Sequence, residues 1–269
     1  MQPLQNIERE LYWKLSNKAT TLIHVSHLEY VKQAITSGAS NLTVMQFNII
    51  TLFPEMFGDP FNASILKRAQ EKSLIKIELH NLRDYCKDKH RVTDDLPYGG
   101  GVGMVMKPEP LITAIEAIKT SQPEVRTLLM TPQGKRFEQN DAGRLAQYSF
   151  LTLVCCRYEG VDERVRSFVD EEVSIGDYIL TGGELPSMVV IEATARMIPG
   201  VLGDANSLQD ESFTQSMLEA PHYTRPRVFK DMEVPEVLLS GNHAEIERWR
   251  RQQAMKRTKE RRPDLLSKV

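Results

Sequence analysis

The chain is 269 residues long with 41% hydrophobic and 26% charged residues, enough to bury the core of one large or two small domains. That composition excludes a disordered chain or a disulfide-stapled miniprotein. Against 36 Asp and Glu stand 34 Lys and Arg, a formal net charge of −2, so nucleic acid is not recruited by gross charge and only a local patch would serve.

Residues 1–44 read as a weakly amphipathic helical pattern with a polar tail, an N-terminal extension of unknown role, and Met45 is a candidate start. From there Gln46-Phe47-Asn48-Ile49-Ile50-Thr51-Leu52-Phe53, ended by Pro54, reads as a buried strand. A helix is expected over 63–73, and Ile75-Lys76-Ile77-Glu78-Leu79-His80 alternates apolar and polar as a half-buried strand does. A helix near 111–119, a strand at 127–130, a helix near 139–147 and a strand at 150–155 continue the series. Such alternation predicts an α/β fold with a mostly parallel sheet covered by helices. Apolar residues at helical spacing over 187–198 stop at Pro199-Gly200, and Glu192 and Arg196 interrupt the run, so it is no membrane span.

Gly203-Asp204-Ala205-Asn206-Ser207 is loop chemistry and opens a flexible linker at 203–212. From Phe213 onward the segments read as helices, with Asn242 a fair N-cap and Glu245 three residues later. The expected division is therefore an extension at 1–44, an α/β domain at 45–202, a linker at 203–212 and a smaller helical domain at 213–269. Cys86, Cys155 and Cys156 form a poor disulfide framework and fit a reducing compartment, the cytoplasm. The acids Glu8 and Glu10 and the lack of an early apolar run argue against a signal peptide.

Ligands of α/β proteins sit in loops at the carboxyl ends of strands. Three such loops combine small or glycine residues with polar groups: Thr131-Pro132-Gln133-Gly134-Lys135, Cys156-Arg157-Tyr158-Glu159-Gly160, and 174–186 with its Thr181-Gly182-Gly183-Glu184 turn. Any one alone reads more readily as an ordinary tight turn; three together favour a purine-containing ligand read by main-chain groups. The run Tyr98-Gly99-Gly100-Gly101-Val102-Gly103-Met104 follows Asp94-Asp95-Leu96-Pro97 and not a strand, so a dinucleotide-binding oxidoreductase has little behind it. No Gly-Lys-Ser/Thr closes a phosphate loop. Arg248, Arg250, Arg251, Lys256, Arg257, Lys259, Arg261 and Arg262, with Trp249 among them, form the one dense basic patch, which serves RNA as well as it serves a plain solvated face. His24 and His27 have metal-like spacing but no completing ligand, and no metal site is read from the sequence.

The motifs Leu52-Phe53-Pro54-Glu55-Met56-Phe57, Tyr98 to Met104, Thr131-Pro132-Gln133-Gly134, Arg157-Tyr158-Glu159-Gly160-Val161-Asp162-Glu163-Arg164, Ser174 to Pro186, Ile198-Pro199-Gly200-Val201-Leu202-Gly203, Pro221-His222-Tyr223-Thr224-Arg225-Pro226 and Leu238-Leu239-Ser240-Gly241-Asn242-His243 occur in this order. Together they strongly resemble the bacterial tRNA (guanine-N1)-methyltransferase family, from about Met45 to the C-terminus. The resemblance implies a trefoil-knotted α/β domain of the SPOUT class, a homodimer, and S-adenosylmethionine bound in the knot. Periodicity alone would give a plain open sheet, since knots are very rare. It further implies methylation of N1 of the guanosine 3′ of the anticodon, position 37 of the tRNA.

That chemistry needs a base for the N1 proton and a cation for charge growing on O6. The family has Asp directly before Ser-Phe; here Glu211 precedes Ser212-Phe213, with Asp210 one residue earlier. By register Glu211 is the base, Asp210 its alternative, and Arg196 the cation. Cofactor contacts implied by the resemblance fall on Met130, Thr131, Pro132 and Gln133, then on Cys156, Tyr158 and Glu159. A third set comprises Ile175, Gly176, Asp177, Tyr178, Ile179 and Leu180, followed by Gly182, Gly183 and Pro186. Cys156 stands where the family usually has glycine, which would strain the pocket if that backbone needs a glycine conformation; Val102 replaces a usual proline. Arg157 and the basic helix, the latter from the opposite subunit, would hold tRNA. A role for Mg2+ in deprotonation is left open. The alternative is a non-catalytic tRNA-binding protein whose knot site is degraded at Cys156 and Glu211.

Overall fold

The computed structural model describes residues 44–203, 211–214 and 216–268. The N-terminal extension up to residue 43, with His24 and His27, and positions 204–210 of the expected linker, with Asp210, lie outside the described residues. Residues 45–269 form one compact unit.

The first strand, β1 (Met45–Thr51), is buried along its whole length, and its buried Gln46 and Asn48 are satisfied by side-chain hydrogen bonds to each other, to Glu78 and to Gln122. After it come α1 (Ser64–Glu71), β2 (Ile75–Asn81), α2 (Pro108–Ser121), β3 (Arg126–Arg136), α3 (Gln139–Leu145), β4 (Phe150–Cys155), β5 (Glu171–Ser174) and α4 (Glu184–Arg196). The sheet has the order β2-β1-β4-β3-β5, and every neighbouring pair is parallel. β2 lies at one edge, where the alternation of Ile75 to His80 leaves it half exposed.

Period-two alternation along the strands divides the core into two layers. Phe47, Ile49, Leu128, Met130 and Leu153 pack with Leu66 and Ala69 of α1, Leu145 of α3 and Val190, Ile191 and Ala195 of α4. Their neighbours Ile50, Leu129 and Val154 pack on the opposite face against Leu111, Ala114, Ile115 and Ile118, the i, i+3, i+4, i+7 stripe of α2. Each of the Phe, Leu, Ile, Val and Met side chains among them contributes about 1.5–3 kcal/mol by leaving water. Helices on both faces of a parallel sheet are the α/β architecture the alternation predicts.

Two segments depart from the sequence expectation. The strand expected at 127–130 extends to Arg136, because Met130 and Lys135 both pair with Val173 while 131–134 loop out between them. The other departure is the region after Phe213, read as helices. Up to residue 242 the described residues are irregular apart from a two-residue ladder (Val228–Phe229 with Met232–Glu233) and a 3-10 turn at Glu236–Leu239, and the chain ends in a 3-10 helix at Pro263–Lys268. Pro221, Pro226 and Pro235 each remove an N–H that a helix would use. Only α5 (His243–Arg261) is a long helix, and Asn242 caps it by accepting from the Glu245 N–H at 3.3 Å. The glycine run lies in the loop between the paired segments Asp94–Asp95 and Val105–Met106, an antiparallel hairpin and not a strand-to-helix turn.

Candidate active site

Three loops meet at the carboxyl ends of β3, β4 and β5 and enclose a cleft of about 350 Å³, near the small end of the range for ligand pockets. The first is the 131–134 excursion of β3. Gly134 brings the chain back against β5 so closely that a Cβ there would lie 2.4 Å from the carbonyl carbon of Glu172 and the nitrogen of Val173. The second loop leaves β4 through Cys156 and turns at Tyr158, whose φ of 57° is left-handed. The Glu159 N–H then donates to Met104 O at 3.0 Å, fixing this loop to the foot of the glycine hairpin. The third loop runs from β5 into α4 and is held by the Gly183 N–H donating to Cys156 O at 2.8 Å. A side chain at Gly183 would meet Cys155 Cα at 2.7 Å. The cleft is thus walled largely by main chain that only small residues let close.

Met130, Thr131, Pro132 and Gln133 line one wall; Cys156, Tyr158 and Glu159 the next; Ile175, Gly176, Tyr178, Ile179, Leu180, Gly182, Gly183 and Pro186 the third. Asp177 does not line the cleft. It is the central residue of a three-residue turn closed by the Tyr178 N–H to Gly176 O at 3.0 Å, so it stands at the exposed apex. Cys156 does not carry the strain that a glycine-only backbone would impose: its φ is not positive, and the left-handed residue of the loop is Tyr158. Burial pushes the Cys156 thiol up to about 12, so it is a neutral, weakly polar wall at physiological pH. Buried Cys155 is raised well above the usual range by burial and contacts Ser187 Oγ at 3.2 Å.

Sequence reasoning missed Arg166 and Glu163, which also line the cleft. Arg166 pairs with Glu163 at 2.8 Å and reaches Glu172 and Gln133, linking the 3-10 turn at Glu163–Phe168 to β5 and to the first loop. The helix-capping Asp162, which accepts from the Arg164 N–H, marks that turn in the sequence, but the turn's approach to the cleft is a tertiary fact. Arg157, expected at the RNA, has a side chain only 16% exposed and pairs with buried Glu184.

At the far end of α4 a second constellation forms. Arg196 Nη2 donates to Glu211 Oε1, bringing together the cation and the base named by register; both side chains are about one-third exposed, at 35% and 29%. The chain after Glu211 folds back on itself, Ser212 Oγ accepting from the Glu219 N–H at 3.1 Å, and is tied to α5 where Thr258 Oγ1 accepts from the Leu218 N–H at 2.9 Å. On α5, Arg248, Arg250, Arg251, Lys256, Lys259 and Arg261 are exposed and make no ion pair among the described residues. Arg257 donates to Glu219 O, and Arg262 pairs with Asp264 and stacks 5.7 Å from the Phe213 ring centroid.

Residues 45–268 match the family model described as tRNA (Guanine-1)-methyltransferase TrmD. A tRNA (guanine-N(1)-)-methyltransferase of Geobacter sulfurreducens is 58% identical over 226 residues, 84% of this chain and 92% of the relative. Its counterpart from Dictyoglomus turgidum is 55% identical over 226 residues, 84% of this chain and 91% of the relative. The chain belongs to the tRNA (guanine-N1)-methyltransferase family. The family match begins at residue 45, so the N-terminal extension lies outside it.

A methyltransferase of this family calls for a methyl donor, and the cleft fits S-adenosylmethionine. Leu129, Met130, Val173, Ile175 and Leu180 supply an apolar bed for a purine, and the main chain around Gly182 and Gly183 supplies hydrogen-bonding groups. Glu159, whose carboxylate lines the cleft, suits the ammonium of an amino acid tail, while Arg166 is already held by Glu163 and Glu172. Among the described residues no group of three or more His, Cys, Asp or Glu is placed to hold a metal ion. No helix among them is long and apolar enough to cross a membrane.

Proposed function

We propose that this chain methylates N1 of the guanosine 3′ of the anticodon in tRNA, position 37, in the cytoplasm, with S-adenosylmethionine as methyl donor. The observation that carries the catalytic reading is the contact between Arg196 and Glu211, which sets a donor and an acceptor side by side. Guanine presents the complementary pair on one edge, O6 accepting and N1–H donating. A guanine entering this site replaces the Arg196–Glu211 contact with two of its own. Glu211 accepts the N1 proton, and Arg196 donates to O6 as negative charge grows there. The cleft residues would hold S-adenosylmethionine, which would supply the methyl group from a cationic sulfur to the N1 lone pair so freed, the S–CH3 bond breaking to leave a neutral thioether. Glu in place of the family's Asp is one methylene longer and chemically equivalent as a base.

The site is composite, and the chain works as a homodimer with itself. Pro186 lines the cleft while Arg196 lies ten residues further along α4, about 15 Å at the helical rise, so one protomer's cleft does not meet its own pair. On the same helix Leu185 and Val189 are 52% and 47% exposed, and Ile179 in the preceding loop is 80% exposed, an apolar stripe that a second copy would cover. The trefoil knot belongs to this reading. The exposed cations of α5 are its phosphate-binding surface.

The test is incubation with methyl-labelled S-adenosylmethionine and two tRNA transcripts, one with guanosine 3′ of the anticodon and one with adenosine there. Label on the first alone supports the assignment, whereas label on both or on neither contradicts it.

A further inference from the structure

Arg157 is the residue whose placement departs furthest from its sequence reading, and its surroundings give it another task. Its guanidinium packs over the Phe53 ring, 4.4 Å from the centroid, and Nη2 contacts Met56 Sδ at 3.2 Å, both in the segment that leaves β1. Nη1 donates to Thr181 O at 3.4 Å, in the loop before α4. Nε lies 2.9 Å from Oε2 of Glu184, the first residue of α4, whose side chain is 1% exposed. Neither of those two atoms makes a hydrogen bond among the described residues, so each charge is met by the other as an ion pair. The other oxygen of Glu184, Oε1, accepts from Thr51 Oγ1 at 2.9 Å, and Thr51 Oγ1 accepts in turn from the Phe53 N–H at 3.0 Å.

This pair sits at the seam between two walls of the cleft. Arg157 and Gly182 form a backbone bridge, and one residue on, the Gly183 N–H donates to Cys156 O. A Cβ at Gly182 would lie 2.3 Å from Arg157 Nε and 2.4 Å from Glu184 Oε2. The glycine is therefore required by the ion pair itself. Pair and glycine act as one device that presses the 156–160 loop onto the 181–184 turn.

We propose that Arg157 and Glu184 are positioning residues for the cofactor cleft, and that Arg157 is not an RNA contact. A buried carboxylate left without its partner charge is strongly unfavourable, so loss of Arg157 drives Glu184 toward solvent and opens the seam. Lysine does not substitute, because a single ammonium cannot stack on Phe53 and reach Glu184, Thr181 and Met56 together. The proposal rests on the reading of the cleft as the S-adenosylmethionine site.

The test measures S-adenosylmethionine binding by calorimetry and tRNA binding at several salt concentrations for Arg157→Ala, Arg157→Lys, Glu184→Gln and Arg157→Ala/Glu184→Gln. Expected are a cofactor Kd raised at least tenfold in both Arg157 variants, a tRNA Kd within about twofold of the parent, and an unchanged salt slope. The double variant binds cofactor within about twofold of the weaker single variant, as coupled residues do. Glu184→Gln keeps shape and the Thr51 hydrogen bond, so it stays folded and shows the loss even where Arg157→Ala melts early. The proposal is overturned by weakened tRNA binding that Arg157→Lys restores, by losses that multiply in the double variant, or by cofactor binding unchanged throughout. Failure of the parent chain to bind S-adenosylmethionine would instead overturn the reading of the cleft.

Discussion

The cofactor cleft and the Arg196–Glu211 pair are assembled by opposite means. The cleft is made of main chain pressed together at the ends of core strands, with Met130 and Val173 at its floor and glycines where two backbones touch. The pair consists of two long side chains, one at the last residue of α4 and one near the end of the expected linker, each about one-third exposed at 35% and 29%. On the proposed function, cofactor binding is built into the fold, while proton transfer falls to groups that can exchange one partner for another. Damage to the cleft should abolish cofactor binding outright, and damage to the pair should slow the chemistry while leaving that binding intact.

The largest effect on cofactor binding is expected from Gly183→Ala, because the added methyl would meet Cys155 Cα at 2.7 Å, a backbone atom that cannot give way. Calorimetry should find cofactor affinity lowered beyond about a hundredfold, equivalent to roughly 2.7 kcal/mol. Next come Glu211→Ala and Arg196→Ala, for which single-turnover rates should fall by about 10²–10⁴, the usual worth of a positioned base, with cofactor Kd within about twofold. A comparable loss of cofactor affinity in these variants would erase the division between the two regions. Arg250→Ala/Arg251→Ala should weaken all tRNA binding alike and flatten its salt slope by about 2, one for each phosphate no longer neutralised, without changing the saturated rate. The smallest effect belongs to Cys156→Gly, since Cys156 has no positive φ: cofactor Kd should move by less than about threefold. In the parent chain that thiol, pushed up to about 12 by burial, should stay unreactive toward iodoacetamide at pH 8 and react only as the pH is raised.

Legibility followed the range of the interaction. β1, β4 and α2 were readable because the residues that specify them are neighbours in sequence: a short, largely apolar run for a strand buried on both faces, and the spacing of Leu111, Ala114, Ile115 and Ile118 for a helix buried on one. The second half of β3 was not, because Thr131-Pro132-Gln133-Gly134 breaks the alternation and only Val173, on another strand, re-establishes the ladder. From Phe213 onward the segments read as helices, but before the Asn242 cap Pro221, Pro226 and Pro235 keep the chain from forming one. The three glycine-bearing loops marked the cleft, yet Arg166 enters it from a turn with no motif of its own. Arg157 looked like a free cation, since nothing local announces that buried Glu184 neutralises it. The choice of Glu211 and Arg196 came from a resemblance and from no local pattern; their contact is a finding of the structure.

The most direct test of the composite site is intersubunit complementation. Glu211→Ala keeps its cleft and lacks the base, while Gly183→Ala keeps the base and lacks the cleft. The two purified variants, each first shown to be folded and dimeric, are mixed, exchanged and assayed for methyl transfer to the guanosine transcript. The account predicts that two inactive proteins recover activity, up to about a quarter of the parent rate when subunits reassort at random. A mixture that forms heterodimers and stays inactive would show that cleft and pair serve one site within a single chain, and would contradict the account.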